Sequence, residues 1–192
     1  MRTDLGYLKK FKKTLDKRLK LWYNKYSERE ARTMKILNYI NTLNYKYDAN
    51  HNGSHYLING ATAYKNRGEL LESIAKHHRG LYTEVNPTTS WESGSDIESE
   101  CASVKSSEAS LGRGVGTLEN YFKNVASSTF IWLELNDQTQ EVTEYQMTKQ
   151  EFFVFVNTFT RVHNSSNHKE QIFRFYKTSK RMLRWFEERA IA

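Results

Sequence analysis

Asp96, Ser103 and Lys105 fall within one short stretch, Trp91–Ser107, which reads WESGSDIESECASVKSS. Its pattern predicts two short strands. The first ends near Asp96 and Ile97, and the second runs from about Cys101 to Ser106. Side chains alternate along a strand, so Ser103 and Lys105 share one face while Ala102 and Val104 point to the other. An acid on one strand beside a lysine on its neighbour has a chemical use. The acid can hold a divalent cation, and the ammonium can orient an attacking water. A further acid stands upstream in Gly68-Glu69-Leu70-Leu71-Glu72, at the start of a helical pattern. Hydrolysis of a phosphodiester needs an activated water, neutralised phosphoryl oxygens and a stabilised leaving oxygen, and one or two Mg²⁺ ions supply much of this. Magnesium is a hard cation that takes carboxylate and carbonyl oxygens and keeps several waters. Glu72, Asp96 and Lys105 are therefore the residues expected to converge.

The elements that must position them follow from periodicity and punctuation. Asn66–His78 reads as a helix with Leu70, Leu71, Ile74 and Ala75 on its apolar side and Gly80 as its stop. Leu81–Val85 reads as a strand, and Asn86-Pro87 as a turn. Ala109–Gly116 contains Gly112, Gly114 and Gly116 without a Walker lysine, so it reads as a mobile loop rather than a nucleotide cradle; its Arg113 is a candidate phosphate contact. Thr117 is placed to cap a helix running to about Val125. Ser128–Leu135, STFIWLEL, is nearly continuous and apolar, as a central strand buried on both faces would be. Glu141–Met147 reads as one more strand. Thr148-Lys149-Gln150-Glu151 matches a capping box opening a helix through about Phe159. Asn164–Asn167 reads as a loop, and His168–Arg189 as a final helix with Ile172, Phe175, Tyr176, Met182, Leu183 and Phe186 near one side.

The N-terminal part has a different composition. Residues 1–47 hold 13 Lys or Arg against 4 Asp or Glu, a surplus of nine, whereas the other 145 residues hold 16 against 18. Leu5, Leu8, Leu15, Leu19, Trp22 and Tyr26 suggest one helix over 4–26. Ser27-Glu28-Arg29-Glu30 suggests a capped second helix, with Met34, Leu37, Ile40, Leu43 and Tyr47 on its apolar side. The expected organisation is a basic helical hairpin, 1–47, attached to an α/β body, 48–192. Basic faces of this kind lie along phosphates and supply affinity without sequence information. Lys9, Lys12, Lys13 and Lys17 are the candidate contacts in the hairpin, with Lys180 and Arg181 in the last helix. His51 and His55 are four apart, but Asn52-Gly53 between them argues against the helix that would make a metal pair of them. Cys101 is the only cysteine, which excludes an intrachain disulfide. Met1 is followed by no long apolar run, so neither a signal peptide nor a membrane helix is expected, and the expected location is the cytoplasm.

From residue 66 the expected order is helix, three strands, helix, strand. This order, with its acids and lysine, resembles the PD-(D/E)xK nuclease superfamily, the restriction-endonuclease-like fold with an αβββαβ core and mixed sheet. The resemblance covers roughly residues 66–136. Gly68-x-x-x-Glu72 looks like the Gly-x-x-x-Glu opening of the archaeal Holliday-junction resolvases, Ser95-Asp96-Ile97 like the aspartate motif, and Ser103-Val104-Lys105-Ser106-Ser107 like the strand ending in VKSS. The sequence departs from the pattern at Ser103, where the family usually has an acid. The resemblance implies Mg²⁺, with Mn²⁺ as a substitute, held by Glu72, Asp96 and the Val104 carbonyl. It further implies that Lys105 orients or activates water and that Ser103 completes the site. It implies an endonuclease cutting DNA, of restriction or of phage or mobile-element type, and a homodimer is compatible because each such site cuts one strand. Two other classes stay open: a non-catalytic nucleic-acid-binding protein on a degenerate nuclease fold, for which Ser103 is the best argument, and a protein-interaction regulator or inhibitor whose basic helices meet an acidic partner.

Overall fold

The computed structural model describes residues 34–48, 55–58, 61–64, 67–81, 95–106, 110–114, 118–164, 171–175 and 179–190. The first predicted helix, the capping box at Ser27 and Lys9, Lys12, Lys13 and Lys17 lie outside these residues, as does the predicted strand beyond Leu81. Ten strands and four helices are described, so the protein is of mixed α/β class. In chain order they are β1 (Lys35–Ile40), β2 (Tyr45–Asp48), β3 (His55–Ile58), β4 (Ala61–Tyr64), α1 (Arg67–His78), β5 (Ala102–Ser106), β6 (Ser110–Gly114), α2 (Leu118–Asn124), β7 (Thr129–Asn136), β8 (Glu141–Thr148), α3 (Lys149–Phe159), β9 (Thr160–Asn164), β10 (Gln171–Phe175) and α4 (Lys180–Glu187).

The central sheet has the order β1-β8-β7-β5. β5 runs parallel to β7, while β7 with β8 and β8 with β1 are antiparallel. β7 is the strand predicted from its continuous apolar run, and both its faces are covered. Phe130 and Trp132 join a core with α2, α3, β10 and α4, whereas Ile131 and Leu133 join a second core with Leu70, Leu71, Ile74 and Ala75 of α1. The first core is densely aromatic. Phe130 stacks on Phe152 with centroids 4.2 Å apart, and Tyr145 on Phe186 at 3.9 Å, geometries worth about 0.5–1.5 kcal/mol each beyond burial alone. Two three-stranded sheets flank this body, β6-β10-β9 and β2-β3-β4.

Three sequence expectations are corrected. The second helix of the predicted N-terminal hairpin is absent over 35–48: β1 pairs with β8, and β2 pairs with β3. The three-residue spacing of Met34, Leu37 and Ile40 is not a buried stripe. Met34 is fully buried, but Leu37 is 37% and Ile40 60% exposed, because pairing with β8 decides the backbone and tertiary context overrides the local period. Met34–Ala192 form one compact unit. The glycine-rich stretch is not a loop: 110–114 forms β6, whose backbone pairs with β10 through a register shift, so Arg113 sits on a strand. The last predicted helix is divided. Its first part is β10, where Phe173 and Phe175 are buried and Arg174 is exposed in strict alternation, and only 180–187 is helical, capped by the Ser179 side chain accepting from the Met182 N–H at 3.2 Å. The capping box at Thr148 forms as expected, with Glu151 Oε2 accepting from the Thr148 N–H at 2.8 Å and Thr148 Oγ1 from the Glu151 N–H at 3.2 Å.

The helix that carries Glu72 is fixed at both ends. At its start Arg67 donates to Asp137 Oδ2 at 2.9 Å and to the Leu135 carbonyl at 3.2 Å, tying α1 to the β7–β8 turn. At its end Gly80 adopts a left-handed φ of 67°. The Gly80 N–H then reaches the His77 carbonyl at 3.0 Å and the Leu81 N–H the Lys76 carbonyl at 2.9 Å, a Schellman stop that needs a residue without a Cβ penalty. Just before it, Arg79 grips Glu144, a fully buried acid on β8. Glu144 also accepts from Tyr39 at 3.1 Å and Gln146 at 2.8 Å, and Arg79 reaches Glu100 at 2.6 Å. Burial pushes the Glu144 carboxyl up, but the Arg79 and Gln146 donors outweigh it and leave its pKa below the ordinary value.

Candidate functional site

Ile97 and Ala102 exchange two backbone hydrogen bonds, at 2.9 and 3.0 Å, across a tight connection. Residues 98–100 make one 3₁₀ turn, and Cys101 closes it in the left-handed region at φ 47°. That closure brings Asp96 against the start of β5, through an isolated bridge at Ile97 rather than the expected strand. Ser103 Oγ donates to Asp96 Oδ2 at 2.9 Å, and the Val104 N–H donates to the same oxygen at 2.6 Å. The Lys105 ammonium donates to Ser103 Oγ at 2.6 Å and to the Val104 carbonyl at 3.0 Å, and lies 3.5 Å from Asp96 Oδ2. Asp96, Ser103 and Lys105 therefore form one chain of contacts in which the hydroxyl bridges acid and ammonium. Ser103 is buried, while the Asp96 and Lys105 side chains stay about one-fifth exposed, at 21% and 20%.

The register explains why the triad gathers here. Ser103 and Lys105 face the same side as their β7 partners Phe130 and Trp132, while Ala102, Val104 and Ile97 pack into the core beneath α1. β5 is the last described strand of its sheet, so groups from either face can meet around it. Glu72 comes from the α1 side. Its carboxylate is ion-paired to Lys76, one turn further along the helix, with both side chains half-buried. Burial pushes the Glu72 carboxyl up, the Lys76 hydrogen bond opposes this, the like charge of Asp96 adds to it, and the charges of Lys76 and Lys105 pull it back. Glu72 thus feels the charges of Lys76, Asp96 and Lys105.

Two further residues were not anticipated from the sequence. Lys76 is drawn in through Glu72, and its signal was the four-residue spacing that joins acid and base on one helix face. Tyr121, on the helix between β5 and β7, has its phenol pushed up by burial and further by the charge of Asp96. Nothing local marks it, because its place depends on how that helix covers the sheet. Glu100 on the turn is ion-paired with Arg79, and Glu98 is exposed beside it. Lys180 and Arg181 are exposed at the start of α4, with the Arg181 guanidinium 5.7 Å from the Phe159 ring centre. His78 stacks on Tyr39 at 3.7 Å between centroids, and His77 hydrogen-bonds Thr42, so both are tied to the strand region rather than to the helix end alone.

The donors near β5 are hard oxygens: two carboxylates and the Val104 carbonyl. They fit a single magnesium ion completed by water, which needs only one or two carboxylates. Among the described residues no three His, Cys, Asp or Glu side chains gather as a metal cluster. No helix among the described residues is long and apolar enough to cross a membrane. The chain matches no protein-family model, no curated protein and no solved structure.

Proposed function

We propose that this protein is a metal-dependent nuclease that hydrolyses DNA phosphodiesters on a restriction-endonuclease-like core. The observation that carries the reading is the contact chain Asp96–Ser103–Lys105, closed by the Ile97–Ala102 bridge; Glu72, on the preceding helix, feels the charges of Asp96 and Lys105. The parallel pairing of β5 with β7 and an intervening helix also suit that core. Glu72, Asp96 and the Val104 carbonyl would hold Mg²⁺ or Mn²⁺, which when bound neutralises phosphoryl charge and acidifies a water. Lys105 would orient an attacking water with its ammonium. Ser103 fixes Lys105 and Asp96 relative to each other. The basic residues Lys9, Lys12, Lys13, Lys17, Arg113, Lys180 and Arg181 would bring the polyanion to the site through non-specific phosphate contacts. Two copies acting together would cut both strands.

A second reading has its own support. Asp96 Oδ2 already receives a hydroxyl, a backbone N–H and an ammonium, and Ser103 withholds a negative charge from the site. A nuclease fold that had given up catalysis and kept nucleic-acid binding would look the same. The deciding experiment is cleavage of supercoiled plasmid and of labelled duplex, single-stranded and branched DNA with Mg²⁺ or Mn²⁺, comparing the wild type with Asp96→Ala and Lys105→Ala. Metal-dependent cutting lost in both folded variants supports the nuclease. DNA bound at low salt and never cut supports the binding protein. No DNA binding at low salt favours a protein-interaction regulator.

A further inference from the structure

The β9–β10 ribbon sets two arginines against each other. In its register Arg161 of β9 stands directly opposite Arg174 of β10, on one face of the ribbon, and both side chains are exposed. Directly opposed residues bring their Cβ atoms to about 4.5–5.5 Å, and like charges placed so cost stability. Arg174 has no ion pair among the described residues. A third guanidinium stands at the same end of the ribbon. The register pair next to the arginines is Thr160 with Phe175, and Phe159 immediately precedes Thr160. The Arg181 guanidinium lies 5.7 Å from the Phe159 ring centre, and the two residues of chain from Phe159 to Arg161 span at most about 7 Å. Lys180 and Arg184 are exposed on the same helix as Arg181, and none of the three has an ion pair among the described residues. The acids of that segment, Glu187 and Glu188, stand at the other end of α4, and Glu188 is taken by Arg189 at 3.6 Å.

We infer that this arginine cluster is a binding surface for the phosphate backbone of a nucleic acid, with Arg161 and Arg174 at its centre and Arg181 extending it. The inference rests on the nucleic-acid part of the reading above and gives it a surface in a different sheet from Ser103 and Lys105. A phosphate oxygen between two opposed guanidinium groups offsets the repulsion that the ribbon carries alone. The planar guanidinium donates two parallel N–H bonds to a phosphate, and each phosphate neutralised releases condensed counterions. A duplex offers such anions regularly, one charge per about 1.7 Å of its axis, whereas an acidic segment of protein offers them irregularly. A membrane suits this face poorly. The large exposed apolar side chain of the ribbon, Val162, alternates to the face opposite Arg161, and Ile172 on the arginine face is half-buried.

The test is binding of a short fluorescein-labelled DNA duplex to the full chain without metal, read by anisotropy from about 50 to 200 mM salt. Arg161→Gln and Arg174→Gln together should weaken binding about tenfold and lower the slope of log affinity against log salt by about two, one for each phosphate contact. Adding Arg181→Gln should lower the slope by about one more. Arg161→Lys with Arg174→Lys should keep most of the slope, because the charges remain. Lys123→Gln, at a lysine 67% exposed and paired with Glu119 on α2, should change neither affinity nor slope. A folded glutamine pair with wild-type affinity and slope overturns the inference and leaves the nucleic-acid reading intact. A lysine pair that loses as much slope as the glutamine pair also overturns it, since the arginines would then act through structure. No binding by the wild type at low salt overturns the inference and the nucleic-acid reading together. The expected slope changes without any metal-dependent cleavage keep the surface and remove the nuclease. Polyglutamate that competes as well as DNA at equal charge, or phosphatidylserine vesicles that bind where the duplex does not, overturns the inference in favour of an acidic protein or a membrane.

Discussion

Glu144 and Asp96 are both carboxylates facing a basic side chain and further donors, and both lie along the course of α1, yet they are built on opposite terms. Glu144 is fully buried, and Arg79, Tyr39 and Gln146 surround it. Asp96 is one-fifth exposed, and its described partners all address one oxygen, Oδ2. A buried ion pair recovers its desolvation only if nearly every lone pair is met, and around Glu144 the donors do this. Such a group has nothing left to exchange with a ligand, and its role is to fix the end of α1 to the sheet. The Asp96 cluster retains solvent access and an exchangeable set of ammonium contacts. Saturation and burial therefore separate a charge that holds the fold from a charge available for chemistry, even where the residue types match.

That contrast can be broken in several ways. Asp96→Asn should lower metal-dependent cleavage by about a thousandfold, the scale of removing a group that stabilises developing charge, and should leave the unfolding midpoint within a few degrees of wild type by calorimetry; collapse of the fold instead would place Asp96 with Glu144. Glu144→Ala should cost roughly 3–5 kcal/mol in denaturant unfolding, because it strands the Arg79 guanidinium without its main partner. A loss under 1 kcal/mol would mean the pair is no anchor. Ser103→Ala should reduce cleavage by about ten- to a hundredfold, since its hydroxyl positions Lys105 rather than meeting the phosphate, and stability should barely change. Tyr39→Phe, which removes one of the donors to Glu144, should cost only about 1 kcal/mol.

Glu144 and Glu72 respond to pH in opposite senses. The folded pKa of Glu144 lies below its ordinary value of 4.5. Its share of stability is present above that value and is lost as pH falls through the folded pKa. Glu144→Gln should therefore flatten the acid limb of the stability curve. Burial holds the Glu72 pKa above 4.5, so ionising Glu72 weakens the folded state as pH rises between the unfolded and folded pKa values, and Glu72→Gln should remove that decline. Chemical denaturation at a series of pH values reads both slopes.

What could be read from the sequence was whatever is settled locally. The Asp96–Ser103–Lys105 contact was legible because a short turn and a period of two place these residues together. The apolar run of β7, the capping box at Thr148 and the Gly80 stop were legible for the same reason, as each is a property of a few adjacent residues. The region 34–48 misled because Met34, Leu37 and Ile40 mimic a helix stripe, while the true determinant is the distant strand β8. In 171–175 the alternation of Phe173 and Phe175 was present, but neighbouring apolar residues offered a competing period. β6 was hidden by glycines whose backbone is organised by β10. Lys76 could have been found from its four-residue spacing to Glu72, whereas Tyr121 required knowledge of where its helix sits on the sheet, which no local pattern contains.

The left-handed turn at Cys101 has a practical consequence. Its thiol is exposed, and the backbone N–H of Ser128, chief among its contacts, holds its pKa below the ordinary thiol value. No second cysteine competes with it anywhere in the chain. A trifluoromethyl or nitroxide tag attached there would sit on the connection between Asp96 and Ser103, giving a single-site spectroscopic reporter of whether metal, DNA or neither occupies the cluster, on the unmodified sequence and without an activity assay.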